Sequence, residues 1–324
     1  DLRLGLKYLL TDDRYINFSV GNYHQFISTF QDDFNPSILD NWIAADTSVS
    51  PGKSMQVVLG YEEYIKNMYK IQVEGYYKDL KNLLTYEEKR STTDAQVSDE
   101  SLANIVTPAD GYAYGLELFG QKMSGKLSGW VAYTYSVSRK IMNSIYADGE
   151  QEYYTNWDRT HAFSVLGNYQ FNKKWETNWR FALQSGQAYT PIMGYYVEKF
   201  PESPYELFRT IPGTRNSGRY EPYSRLDIGA VYHAKIGKTN VDFFFQIINT
   251  LNRSNTFRKI YSLGSPYNGL DDDGDWDKDL HDTNGNGRAD PGETNVDESD
   301  EGKINERSIG LFPILPTFGF TWEF

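Results

Sequence analysis

The chain has 324 residues, 26 Tyr, 18 Phe, 7 Trp, no Cys and a formal net charge of −12. Without cysteine there is no disulfide framework and no thiolate metal site. Without a run of about 18 apolar residues there is no transmembrane helix. The charge is local: residues 271–301 hold 13 acidic and 2 basic side chains, so the rest is near neutral and offers no basic stripe to a nucleic acid. The chain begins at Asp1 without a charged-then-apolar leader, so a signal peptide, where one exists, is expected outside it.

Alternation, not helical spacing, governs the chain. In order, period-2 strands are predicted over 2–10, 15–28, 53–64, 69–79, 111–123, 127–139, 160–171, 175–186, 223–235, 240–251 and 310–324. In "YGLELFGQKM", Tyr114, Leu116 and Leu118 share one face, with Gly115, Glu117 and Phe119 on the other. In "WETNWRFALQSG", Trp175, Thr177, Trp179, Phe181 and Leu183 alternate with Glu176, Asn178, Arg180, Ala182 and Gln184. The segments run about ten residues or more, against about five to six in globular sheets.

Connections near Asp12-Asp13, Lys66-Asn67, Ser124-Gly125, Asn172-Lys173 and Gly237-Lys238 are short. Those over 29–52, 80–110, 140–159, 187–222 and 252–309 are long, and the two kinds alternate strictly. The soluble alternatives are a β-sandwich or a propeller, and a sandwich would carry shorter strands and a polar outer face. The pattern instead predicts an all-β fold, a transmembrane antiparallel β-barrel with short periplasmic turns and long extracellular loops. An aromatic content of 16% suits its interfacial girdles. Eleven strands is odd where bacterial single-chain barrels are even, so further strands are expected upstream. The last strand is expected to run toward the periplasm, ending at Phe324.

Several strings together resemble one family. They include "LRLGLKYLLTDDRYINFSVGNYHQF" (2–26), "VSPGKSMQVVLGYE" (49–62), "DGYAYGLELFGQKMSGKLSGWVAYTYSVSRK" (110–140), "NWDRTHAFSVLGNYQFNKKWETNWRFALQSGQAYTP" (156–191), "YSRLDIGAVYHAKIGKTNVDFFFQIINTLNRSNTF" (223–257) and the closing "PTFGFTWEF". The succession resembles the barrel of TonB-dependent outer-membrane receptors, in a Bacteroidetes-type, SusC-like style. The resemblance implies the C-terminal half of a 22-stranded barrel. It also implies, beyond this chain, a plug and the first half of the barrel, with a TonB–ExbB–ExbD complex supplying energy. Outer-membrane lipid and a surface lipoprotein are further implied partners. The expected activity is import of an oligosaccharide or peptide, or of an iron chelate. A passive porin or a surface adhesin is the alternative, and the presence of a plug upstream separates them.

Three groups of residues carry the site expectations. Loop 187–222 is aromatic, and Tyr189, Tyr195 and Tyr196 with Arg209 and Arg215 are candidates for substrate contact; loop packing explains the same tyrosines. Glu117, Trp130, Arg180 and Gln184 fall on the polar, luminal face and are candidates for the solute path or for plug contacts. "DTNGNGRADPGE" places Asp282, Asn284, Asn286, Arg288 (through its carbonyl), Asp290 and Glu293 in the spacing of a calcium loop, with Gly287 at its sharp turn. Upstream, Asp271, Asp273, Asp275, Asp277 and Asp279 alternate, although Trp276 stands where a glycine is expected. A structural calcium ion over 271–293 is therefore expected, in the long acidic loop 252–309. No amphipathic helix is expected beside it, so it reads as a structural site, not a switch. Asp158, His161 and Ser164 suggest a hydrolase triad, but His161 and Ser164 fall on opposite faces of one strand, so no enzyme is expected.

Overall fold

The computed structural model describes residues 1–30, 41–47, 49–86, 106–143, 149–199, 206–263, 277–285, 287–288 and 304–323. The chain divides into two units: Asp1–Pro191 with Thr214–Asn255 and Phe312–Phe324, and Ile192–Gly213 with Thr256–Leu311.

The first unit is an antiparallel meander. β1 (Arg3–Thr11) and β2 (Arg14–Gln25) pair across Asp12-Asp13, and β3 (Ile27–Phe30) with β4 (Asn41–Ala44) forms a small hairpin beyond. β5 (Gly52–Ile65) turns tightly into β6 (Tyr69–Tyr86). Lys66 and Asn67 both have positive φ there, 53° and 49°, the requirement of the hairpin turn whose twist matches its strands. β7 (Val106–Lys122) and β8 (Leu127–Asn143) form the next hairpin, and the short β9 (Glu150–Tyr154) pairs with the end of β8. β10 (His161–Gln170) and β11 (Trp175–Gln184) follow.

Past β11 lies β12 (Ala188–Tyr189), then the second unit's hairpin of β13 (Ile192–Lys199) and β14 (Glu206–Pro212), then β15 (Gly218–Arg219), which pairs with β12. β16 (Tyr223–Ile236) and β17 (Thr239–Ile248) form the last tight hairpin. The second unit resumes with β18 (Thr256–Leu263), the one-turn helix α1 (Lys278–His281) and β19 (Ile304–Gly310), which pairs with β18. β20 (Leu315–Glu323) ends the meander against β17.

Among the described residues the sheet path runs β1-β2-β5-β6-β7-β8-β10-β11-β16-β17-β20, eleven strands, with β1 and β20 each paired on one side only. Every tight turn falls at one end of these strands and every long connection at the other, because each strand is antiparallel to the last.

Register carries the two faces across the whole sheet. One row reads Tyr8, Ile16, Tyr61, Val73, Leu118, Tyr133, Phe163 and Leu183, each directly opposite the next. Farther on, the same face continues as Trp179–Ile228–Ile247–Pro316, beside Phe245–Phe318 and Phe243–Phe320. One residue away, the other face reads Lys7, Asn17, Gly60, Glu74, Glu117, Thr134, Ala162, Gln184 and Tyr223. The first face is apolar yet uncovered: Leu6 is 57% exposed, Leu59 58% and Phe318 79%. Each such side chain left in water forgoes about 1.5–3 kcal/mol of transfer free energy. A contiguous apolar surface of this kind marks a membrane or partner surface.

All eleven expected strands are present. β6 and β7 extend well past their expected ends, to Tyr86 and back to Val106, with a bulge between Leu80 and Leu83 where Asn82 takes a φ of 56°. The expected 15–28 strand breaks at Phe26, and the expected 310–324 strand starts only at Leu315, after Pro313. Connection 252–309 opens and closes on the β18–β19 hairpin.

Candidate functional site

Strand parity places Glu117, Trp130, Arg180 and Gln184 together on the polar face, as the alternation implies. Arg180 stands exposed on β11, opposite Leu166 on one side and Asp227 on the other. A cavity of about 210 Å³ opens there, lined by Ser164, Arg180, Gln184, Tyr223, Arg225 and Asp227. The Arg225 guanidinium donates to Asp227 Oδ1 at 2.7 Å, and the same oxygen accepts the Asn249 backbone N–H at 2.9 Å. Arg159 donates to the side-chain oxygens of Gln184 and Gln187, with its guanidinium 6.0 Å from the Tyr223 ring centroid. Burial holds the Arg159 pKa below its usual value, because a guanidinium out of water favours its neutral form. The cavity thus offers guanidinium and amide groups, and its lining combines hydrogen-bond donors and acceptors suited to an anionic or hydroxylated group.

Elsewhere on this face, Glu117 stands directly opposite Glu74 and Thr134. Like charges in that position oppose pairing. Trp130 is opposite Gln121 and Leu166, with its ring 6.1 Å from Phe119.

Sequence reasoning missed a set of buried polar ties at the long-loop ends of the strands. The Asp158 side chain is 1% exposed; it accepts the Ser138 N–H at 2.7 Å and pairs with Arg219 at 2.7 Å. Arg219 also donates to the carbonyls of Asp158 and Gly186. Arg139 and Arg219 both lie against the Tyr154 ring, 3.4 and 4.2 Å from its centroid. Asn255 mimics a ladder residue: its side-chain oxygen accepts Ser224 N–H at 2.8 Å and its amide donates to Ser224 O at 2.9 Å. Asn249, at φ 53°, donates its side-chain amide to the carbonyls of Arg253 and Phe312, and Asn252 accepts the Ile314 N–H. The asparagines in "INTLNRSN" were the visible signal, since asparagine tolerates positive φ and its amide replaces backbone partners.

The loop candidates divide. Arg215 is buried, and donates to Thr85 Oγ1, Met142 Sδ and Tyr153 OH at 3.0, 3.1 and 3.2 Å. It ties its loop to β6, β8 and β9. Tyr189 lies flat on Tyr220, centroids 4.5 Å apart and planes at 2°. In the second unit, Tyr195 is opposite Thr210 and Tyr196 is opposite Arg209 in the β13–β14 ladder, with Tyr196 exposed.

Of the calcium candidates, Asp277, Asp279, Asp282, Asn284 and Arg288 are described; Asp271, Asp273, Asp275, Asn286, Asp290 and Glu293 lie outside the described residues. A helical turn, not foreseen, stands directly before Asp282, although α1 buries no residue. Asp277 caps it, accepting the Asp279 N–H at 2.8 Å, and Asp279 lies in its first turn. The Asp282 carboxylate accepts the N–H groups of Gly285 and Gly287 at 2.6 and 2.7 Å, and both glycines have positive φ. Among the described residues no three His, Asp or Glu side chains converge on a metal position.

The Asp158–His161–Ser164 arrangement does not assemble. Asp158 faces Arg219, and the His161 ring contacts Tyr133 OH at 2.9 Å.

No protein-family model and no curated protein matches the chain. Among solved structures, the chain is similar to the ferripyoverdine receptor of the outer membrane of Pseudomonas aeruginosa, at TM-score 0.49 and 12% identity, over 78% of this chain and 29% of the receptor. It is likewise similar to the FrpB iron transporter from Neisseria meningitidis, at TM-score 0.46 and 12% identity, over 78% of this chain and 35% of the transporter. The siderophore receptor PirA from Acinetobacter baumannii gives TM-score 0.46 and 12% identity, over 78% of this chain and 37% of that one. This chain therefore spans about a third of the length of each.

Proposed function

We propose that this chain forms part of a transmembrane β-barrel of a bacterial outer membrane, through which a nutrient is imported with energy supplied from the inner membrane. The observation that carries the reading is the pair of faces: one apolar across all eleven strands and exposed on nine of them, the other polar and lined with guanidinium, carboxylate and amide groups. Such a sheet is stable with lipid on one side and water on the other. β1 and β20 expose open edges, and unpaired backbone groups in a bilayer cost several kcal/mol each, so both edges join further strands of one larger barrel, which the family resemblance implies has 22 strands. The tight turns lie on the periplasmic side and the long loops outside.

Import, in preference to adhesion, is favoured by the polar-face cavity at Arg180, which suits a solute passing along the lumen. An oligosaccharide or a peptide is the first substrate class and an iron chelate the second. A plug, the TonB–ExbB–ExbD complex and a surface lipoprotein complete the proposed assembly. Calcium bound by the 282–293 segment would order the outer loop that contains it. Uptake of candidate nutrients is to be measured in cells expressing the whole protein, with and without TonB. Loss of uptake without TonB is expected; unchanged uptake would leave a passive pore.

A further inference from the structure

The apolar face has a gap near its tight-turn end. In register, Gly120 lies between Ile71 and Val131, and the next row holds Lys122, Gly129, Gly167 and Trp179 in sequence. Three glycines on adjacent strands leave out three side chains, and a groove of about 540 Å³ results, rimmed by Tyr69, Ile71, Val131, Val165 and Trp179. That volume lies within the range of ordinary ligand pockets, about 300–1,000 Å³. The Trp179 ring covers Gly167, whereas a Cβ on Gly120 would meet only the Val131 methyl at 3.4 Å, so the space above Gly120 is open.

The chemistry around the groove is sided. The three turns beside it hold Lys66, Lys126, Lys173 and Lys174, all exposed, and no acidic residue. Lys122 reaches the end of the groove, 5.8 Å from the Tyr69 ring centroid, donating to the carbonyls of Ser124 and Leu127. An ammonium carries three protons, so one remains for a further acceptor. Trp175 packs on Tyr232 at 4.7 Å on the same side, where an interfacial aromatic belt would lie. A slot lined by hydrocarbon, opening toward a lysine rim, matches one molecule in both halves.

We propose that this groove seats an acyl chain of an anionic glycerophospholipid of the turn-side leaflet, with its phosphate at Lys122 and the neighbouring lysines. The inference rests on the membrane-barrel reading. Anionic lipid is specified by charge: each lysine near such a surface is worth about fivefold in affinity.

The test uses the whole purified protein in detergent, with phosphatidylglycerol or phosphatidylethanolamine added, and native mass spectrometry to count retained lipid. Wild type is expected to retain phosphatidylglycerol preferentially. Gly120→Leu, which fills the open space, is expected to lower retention about tenfold, and Lys122→Gln to lower the preference for phosphatidylglycerol about fivefold. Equal retention by wild type and Gly120→Leu would overturn the proposal. Should Gly120→Leu fail to fold, phosphatidylglycerol carrying a diazirine on its acyl chain decides on wild type: crosslinks at Ile71, Val131 or Trp179 support the groove, and crosslinks spread evenly over the apolar face refute it. Insertion of wild type into lipid vesicles is measured in parallel. Failure there overturns the membrane reading itself, whereas insertion without lipid preference overturns only this site.

Discussion

The two faces of the sheet are built from the same strands, one residue out of step, and they are held by different means. The apolar face has few polar ties; its side chains meet directly opposite partners such as Phe243 and Phe320, or Leu118 and Tyr133, and then stop at open surface. The polar side is tied by named pairs: Arg225–Asp227, Lys70–Glu62 and, at the long-loop ends, Asp158–Arg219. Apolar contact needs no particular partner, so lipid can complete one face. Charged groups need specific partners, so the other face is fixed by chemistry within the chain.

That contrast predicts different failures. Asp158→Ala leaves the Arg219 guanidinium without its buried carboxylate, and breaking such a pair costs about 3–5 kcal/mol. Urea unfolding of the folded whole protein should register this loss, with limited proteolysis cutting first near 150–160 while the strands stay protected. Loss of the whole sheet instead would mean that the loop ends carry the fold.

Leu118→Arg puts a charge on the apolar face and should cost about 2–4 kcal/mol in a bilayer. Its neighbour Glu117→Arg should stay within about 0.5 kcal/mol, because that position faces water and loses only its repulsion from Glu74. Refolding titrations of both variants in vesicles compare the faces one residue apart; equal costs would erase the distinction.

Asn255→Ala strips Ser224 of two backbone partners and should cost about 1–3 kcal/mol, read from the same titration. The smallest effect belongs to calcium. Chelation with EDTA should speed cleavage within 270–300 severalfold and leave the strands untouched, and equal rates with and without EDTA would remove the calcium reading.

The faces were legible in the sequence because their period is two, and a period survives without knowledge of partners. Leu116 and Leu118 against Glu117 declared both faces from three residues of β7. The short loop hairpins were not legible: "TFRKIYSL" in β18 mixes its apolar and charged residues without strict alternation. The role of Arg215 was hidden for another reason. Its partners Thr85 and Tyr153 are 130 and 62 residues away, and no local pattern signals a burial that distant residues create. The groove at Gly120 was equally hidden, since Gly120, Gly129 and Gly167 become neighbours only through register.

The most direct measurement uses single nitroxide labels along β8, in a whole protein freed of any cysteine outside these 324 residues, which contain none. Labels at Val131, Ala132, Tyr133, Thr134 and Tyr135, in the whole protein reconstituted in vesicles, report collisions with oxygen or with a water-soluble nickel chelate. Oxygen collisions should peak at 131, 133 and 135 and nickel collisions at 132 and 134. Oxygen maxima at 132 and 134, or no alternation at all, would contradict the assignment of the apolar face to lipid.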